Sequence, residues 1–228
     1  MKQIGILFNA EMVRAILARR KTLTSRLRGL GKINAWPGDN WRYDGLNVHG
    51  DHLFTDIAGL VSGRDPQECI QAVKSPYGRA GDLLTGRETW RIDAVEPPPG
   101  QFTRRLRVRY RADNSKVWFD QVTWPNASML DPKRWTPSIH MPFWASRLRL
   151  PVFGVWPSRL QDMTEEMAIQ EGVNNCMPFY WRKDEWQQRT PNLARYAAWW
   201  DLINRDKPGC GWADNPWVWR IHFSYQKT

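Results

Sequence analysis

A lysine and a threonine, Lys21 and Thr24, stand three residues apart in Ala18-Arg19-Arg20-Lys21-Thr22-Leu23-Thr24-Ser25-Arg26. In a helical or tight-turn exit such residues face each other. A threonine hydroxyl is a poor nucleophile until an adjacent base takes its proton, and a lysine serves as that base only when neutral. Burial and the positive charges of Arg19, Arg20 and Arg26 both push a lysine toward its neutral form. A solvated basic helix end explains the same residues without any chemistry and is the commoner outcome.

Two carboxylates are candidates to work with such a pair. Glu171 closes Thr164-Glu165-Glu166-Met167-Ala168-Ile169-Gln170-Glu171-Gly172. Thr164 is a helix cap, Gly172 a helix stop, and Glu165 and Glu166 suit a first turn. Glu171 falls in the last turn, where the helix dipole disfavours a carboxylate, so it needs a nearby cation or a functional role. Arg87-Glu88-Thr89-Trp90 ends a strand, where a charged side chain beside a tryptophan either lines a pocket or forms a cross-strand ion pair. Metal ligation has little support. His49, Asp51 and His52 cluster in a polar loop without HExxH or other zinc spacing. No Walker loop, GxGxxG or GxSxG occurs.

The elements that must position these residues follow from pattern. Residues 4–8 read as a short buried strand, and Asn9 caps a helix with Met12, Val13, Ile16 and Leu17 on one face, closed by Arg19, Arg20 and Lys21. Residues 29–64 read as a loop or irregular hairpin, and Asp65-Pro66 starts a short helix through Val73. Residues 75–82 form a glycine-bearing turn, followed by a strand through Leu83 and Leu84 to Trp90. Pro97 to Gly100 is a second break. Over 102–111, apolar residues alternate with Arg105, Arg107, Arg109 and Arg111, which predicts a half-buried strand with a basic outer face, paired to 116–123. A loop covers 124–142 and a strand 144–155. Pro191 opens a helix to about Asn204 with Leu193, Tyr196, Ala197, Trp200 and Ile203 inward, and Asn215-Pro216 leads into a last strand. Without regular βαβ alternation, the fold class is α+β.

The 228 residues carry 33 Lys and Arg against 23 Asp and Glu, a net charge of +10. That charge suits an anionic partner, nucleic acid or nucleotide first, or serves solubility alone. Three cysteines, Cys69, Cys176 and Cys210, lie far apart and form no CxxC pair, which fits a reduced, cytoplasmic compartment. No apolar run reaches the roughly 20 residues of a membrane span, and the start is too short for a signal peptide. Fifteen tryptophans imply an aromatic-rich core with a few rings lining a pocket.

Four segments occur in a telling order: Arg19-Arg20-Lys21-Thr22-x-Thr24; Tyr77-Gly78-x-x-Gly81-Asp82 leading to Arg87-Glu88-Thr89-Trp90; Ser138-Ile139-His140-Met141-Pro142-x-Trp144-Ala145-Ser146-Arg147; and Asn215-Pro216-Trp217-Val218-Trp219. As a set they resemble the larger, phage-associated ASCH-domain proteins. The resemblance implies a PUA-like fold, a small β-barrel with helices around it and a cleft beside the first helix. It implies one domain over 1–228, with insertions at about 27–75 and 91–135. Small members of the family are amidohydrolases that deacetylate N(4)-acetylcytidine, so the resemblance implies removal of an acyl group from N(4)-acylated cytidine without metal or cofactor. It places the lysine on Lys21, the nucleophile on Thr24 and the glutamate on Glu171, with Glu88 as a rival carboxylate. Arg19 stands where the family usually has Gly, and Ser25 where many members have Arg. Arg26, or backbone N–H groups near it, would hold the oxyanion, and Arg87, Glu88, Trp90 and Trp144 would line the substrate site, a tryptophan stacking on the pyrimidine. The alternatives are a non-catalytic RNA-binding module using the basic strand face, and a ribonuclease using the same cleft. The expected partner is a small modified nucleoside, with RNA second, and neither a membrane nor an obligate protein partner.

Overall fold

The structure is a computed structural model that describes residues 1–35, 40–96, 105–120, 134–173, 191–204 and 206–226. In chain order its elements are β1 (Gln3–Leu7), α1 (Ala10–Leu17), β2 (Leu23–Arg26), α2 (Gly31–Asn34), β3 (Trp41–Leu46), β4 (His52–Asp56), α3 (Ile57–Val61), β5 (Ile70–Val73), β6 (Leu83–Arg87), β7 (Trp90–Glu96), β8 (Arg105–Tyr110), β9 (Lys116–Phe119), β10 (Leu148–Arg159), α4 (Glu165–Gln170), α5 (Pro191–Asn204) and β11 (Trp217–Phe223). The chain divides into two units. One comprises Met1–Arg19, Gly81–Pro151 and Ser224–Thr228, the other Arg20–Ala80 and Val152–Phe223. Strands outweigh helices in a mixed α+β arrangement, and the described strands form open ladders without a closed barrel.

In the first unit β1 runs parallel to β6, and residues 148–151 of β10 pair antiparallel to β6. Gly86 is required there: a Cβ would lie 2.8 Å from Leu148 Cβ and Cδ1, inside contact distance. Asn9 caps α1 as its position predicts, its side-chain oxygen accepting from Met12 N–H at 2.9 Å. The helix buries Met12, Val13, Ala15 and Ile16 but stops at Leu17, with Ala18 as its C-cap. Arg19 then turns left-handed at φ 57. The expectation that Arg19, Arg20 and Lys21 close the helix is thus corrected. Arg19 takes a backbone angle that glycine adopts without steric cost.

Strands β7, β8 and β9 form an antiparallel sheet with the predicted alternation. Leu106, Val108 and Tyr110 join Trp90, Ile92, Met141 and Ala145 in one apolar cluster. The other face carries Arg91, Arg107, Arg109 and Lys116 around a single carboxylate, Asp93, at 2.9 to 3.9 Å. Arg105 and Arg107 lie over the Trp118 ring at 4.8 and 5.2 Å. Residues 97–104 and 121–133, including Phe102 and the end of the expected hairpin partner, lie outside the described residues. The strand expected over 144–155 starts later, at Leu148, after a short 3-10 turn at Phe143–Ala145.

In the second unit β11 pairs antiparallel with residues 152–159 of β10 and with β2. Both faces of β11 are covered, so its apolar and polar alternates are equally buried except His222. Of the two readings of residues 29–64, loop or irregular hairpin, the described part follows the hairpin. β3 and β4 form a hairpin over a turn in which Asn47 Oδ1 accepts from His49 and Asp51 N–H at 2.9 Å, with Gly50 at φ 78. Phe54, wholly buried, meets the Trp217 ring edge at 5.2 Å and supplies the core contact that orders the hairpin. The helix expected over 65–73 is instead a turn followed by β5, which pairs with β4. A free strand edge took an apolar segment too short to hold a helix. Thr164 caps α4 as expected, and Gly172, at φ 87, ends it. Glu165 serves another helix as well: its carboxylate accepts from Asn192 and Leu193 N–H at 3.2 and 2.9 Å, at the start of α5. In α5 Ile203, expected inward, is 45% exposed, and Trp199 is buried at 8%.

Candidate active site

The chain leaves its left-handed turn extended rather than helical, and this decides what Lys21 meets. Lys21 forms a backbone bridge with Glu171, and Thr22 N–H donates to Gln170 O at 2.8 Å. The first strand segment of the second unit is thereby pinned to the end of α4. Lys21 Nζ is wholly buried and donates to Glu171 Oε2, to Glu171 O at 2.9 Å and to Leu23 O at 2.8 Å. Those three acceptors match the three N–H donors of an ammonium. Desolvation nevertheless pulls its pKa below the ordinary lysine value, opposed by Glu171 and assisted by Arg26. The last-turn carboxylate that the helix dipole left unexplained thus has a buried cation as its partner.

Glu171 is shared further. Ser25 Oγ donates to Glu171 Oε1 at 2.5 Å, and Tyr196 OH donates to the same oxygen at 3.3 Å. Arg220 Nη1 donates to Ser25 Oγ at 2.5 Å. Its remaining donors reach Ser158 Oγ at 3.0 Å, Arg159 O at 3.2 Å and Leu160 O at 2.9 Å. Arg220 is wholly buried. Burial, with the charge of Glu171 adding to it, pushes the Tyr196 phenol far above its ordinary range, so it stays a neutral donor. The result is one buried network: Lys21, Glu171, Ser25, Tyr196, Arg220 and Ser158.

Thr24 pairs with Ile221 across β2 and β11 and is buried. Side chains alternate along a strand, so Thr24 and Arg26 share one face and Ser25 the other. Ser25, not Thr24, is therefore the hydroxyl bonded to Glu171. Arg26 is partly buried, and desolvation lowers its pKa while Tyr77, Glu171 and Tyr196 raise it. Sequence reasoning missed Ser25, Tyr196 and Arg220. The available signal was an arginine inside the otherwise core-like run Trp217-Val218-Trp219-Arg220-Ile221, since a buried guanidinium must have partners.

The remaining predicted residues belong to the first unit. Glu88 is gripped by Arg147 Nε and Nη2 at 2.7 and 2.9 Å. Desolvation raises its pKa, against the lowering effect of Arg147. Arg87 Nη1 donates to Ile139 O at 3.3 Å, and its guanidinium lies 4.8 Å from the Phe143 ring centre. Trp90, expected as a stacking platform, is wholly buried in the β7–β9 cluster and offers no open ring face. Trp144, edge-on to it at 6.2 Å, is only partly buried.

Among the described residues no group of three or more His, Cys, Asp and Glu is placed to hold a metal ion. His52 lies in β4, bonded through Nδ1 to Tyr43 OH at 3.0 Å and packed 4.7 Å from Trp219. No described helix is long and apolar enough to cross a membrane. No family model, curated protein or solved structure matches the chain. At this level the chain is a sheet-rich α+β protein with a buried Lys–Glu–Ser–Arg network.

Proposed function

We propose that the protein is a metal-independent amidohydrolase of the PUA-like ASCH type that removes the acyl group from N(4)-acylated cytidine. The observation that carries the reading is the pairing of Lys21 with Glu171, 150 residues apart in sequence and both buried. Burial depresses Lys21, so above its folded pKa it is neutral and can act as a base oriented by Glu171. Neutral Lys21 then takes the Thr24 hydroxyl proton, a step that requires Thr24 to turn toward Lys21 from the face it shares with Arg26, and Thr24 Oγ1 attacks the acyl carbon. Arg26 stabilises the oxyanion, in line with its place near the network's charge. The proton returns to the exocyclic nitrogen, the C–N bond breaks and cytidine leaves. Water then hydrolyses the threonine ester to a free carboxylate. The role of Thr24 rests on the resemblance.

The test is hydrolysis of N(4)-acetylcytidine and N(4)-benzoylcytidine, followed by absorbance and product analysis. Thr24→Ala should lose turnover by roughly a thousandfold or more with an unchanged circular dichroism spectrum, as for loss of a nucleophile. Dialysis against a chelator should leave turnover intact. A Thr24→Ala variant with near wild-type rate sinks the nucleophile assignment.

Activity should also rise with pH, because Lys21 must be neutral to act. The limb lies below 10.5, the ordinary lysine value, since Lys21 is lowered. Glu171→Gln removes the two influences that raise it, so the limb should move to lower pH while the rate falls. A limb that stays put or moves upward denies Glu171 its place beside the base.

A second reading has one observation in its favour. The outer face of β7–β9 sets four cations around Asp93 beside Trp118, which suits phosphates of RNA. Salt-sensitive RNA binding without turnover would select it.

A further inference from the structure

A pocket of about 770 Å³ lies wholly within the first unit, walled by Phe119, Phe143 and Trp144 and edged by Ser115, Arg147, Arg149 and Tyr225. Its volume falls in the range of roughly 300–1,000 Å³ typical of small-molecule sites. The aromatic wall is held rigidly. Trp144 meets Phe119 edge-on at 5.6 Å and Trp90 edge-on at 6.2 Å, and Trp90 is fixed in the core.

The two arginines at its edge differ. Arg147 has no donor to spare. Nε and Nη2 bond Glu88 at 2.7 and 2.9 Å, Nη1 and Nη2 bond Asp113 at 2.8 and 3.0 Å, and Nη1 bonds Ser115 Oγ at 2.5 Å. Its five N–H groups, and the charge of Asp113, are consumed. Arg149, two residues on along β10, keeps its backbone in the bridge to Gln226, but its side chain makes no ion pair or hydrogen bond with another described residue. The uncommitted charge of the lining is thus a single guanidinium beside an aromatic wall.

We propose that this pocket binds a small planar aromatic anion, its ring against Trp144 and Phe119 and its anionic group on Arg149. A cation finds no free carboxylate there, because Asp113 is spent on Arg147. A neutral apolar ligand would leave the Arg149 charge desolvated without a partner. Guanidinium groups suit carboxylate and phosphate oxygens equally, so a nucleoside monophosphate and an aromatic carboxylate share the required chemistry.

Isothermal titration calorimetry on the whole chain tests it with four probes. Cytidine 5′-monophosphate and benzoate carry both ring and anion, while cytidine and inorganic phosphate each lack one. At least one of the first pair should bind, and the tighter identifies the source. Cytidine and phosphate should bind roughly tenfold more weakly or worse, the loss of one charged contact. Arg149→Gln should weaken binding by a similar factor, Trp144→Leu should weaken it, and Arg149→Lys should retain most of it with an unchanged unfolding midpoint. Failure of all four probes to bind, equal binding of cytidine or phosphate, or indifference to Arg149→Gln overturns the proposal. The hydrolase reading stands or falls separately: binding without turnover sinks only that reading, and turnover without binding sinks only the pocket.

Discussion

Lys21→Met is expected to destabilise the protein by about 3–5 kcal/mol, measured by denaturant unfolding at neutral pH. Removing one member of a buried ion pair leaves the other as an uncompensated buried charge. Glu171 has 2% side-chain exposure and no route to water in exchange for the lost ammonium. Leu23 O and Glu171 O lose their donor as well. The double variant Lys21→Met/Glu171→Leu should recover part of the loss, because no charge is then left buried. Recovery will be incomplete, since Ser25, Tyr196 and Arg220 were arranged around that carboxylate. Wild-type stability should also depend on pH in a way the single variant lacks. The folded pKa of Lys21 lies below its ordinary 10.5. Between those two values the unfolded chain binds the extra proton, so stability rises with pH. The rise ends at about pH 10, where tyrosines ionise in the unfolded chain. Buried Tyr77 and Tyr196 resist ionisation in the folded state. A Lys21→Met cost below about 1 kcal/mol would mean the pair is solvated rather than buried.

Arg147→Met should cost about 3 kcal/mol at neutral pH, with the cost shrinking as the solution is acidified. Arg147 satisfies both oxygens of Glu88, whose side chain is 2% exposed. Desolvation already raises the Glu88 pKa, and Arg147 is what holds it down. Without the arginine the carboxyl rises further, and protonation becomes the cheapest way to keep it buried. The folded variant then binds a proton that the unfolded chain releases above about 4.3, the usual glutamate value. Its stability therefore increases as pH falls toward that value. Unfolding curves of wild type and variant at pH 7 and pH 5 read this directly, and a cost independent of pH would show that Glu88 finds another cation.

The local features that were legible in the sequence are those whose cause is local. Asn9 and Thr164 have the side-chain oxygen a helix start needs, Gly172 the freedom a helix stop needs, and the 105–110 run the period-two pattern of a sheet with one covered face. The misfit of a carboxylate in the last turn of α4 was likewise visible from residue order, and it pointed to Glu171 without saying what would answer it. What failed depended on partners distant in sequence. Ile70 to Val73 became a strand because β4 offered an edge, whereas a hairpin was one of the two readings of residues 29–64, and the Phe54–Trp217 contact accompanies it at residues 41–56.

The site divides along the same line. Residue types left Lys21 as a candidate base or a solvated helix end and Glu171 as a carboxylate in need of a cation, and only the resemblance placed the two in one site. The tertiary structure brings them into contact, by pinning Thr22 to Gln170 and burying both side chains. Pairing of β2 with β11 in one register, Ser25 opposite Arg220 and Thr24 opposite Ile221, decided which hydroxyl meets the pair. A shift of one residue would exchange them, because strand side chains alternate faces. Register is set by contacts across the whole sheet, so no spacing within residues 19–26 could reveal it.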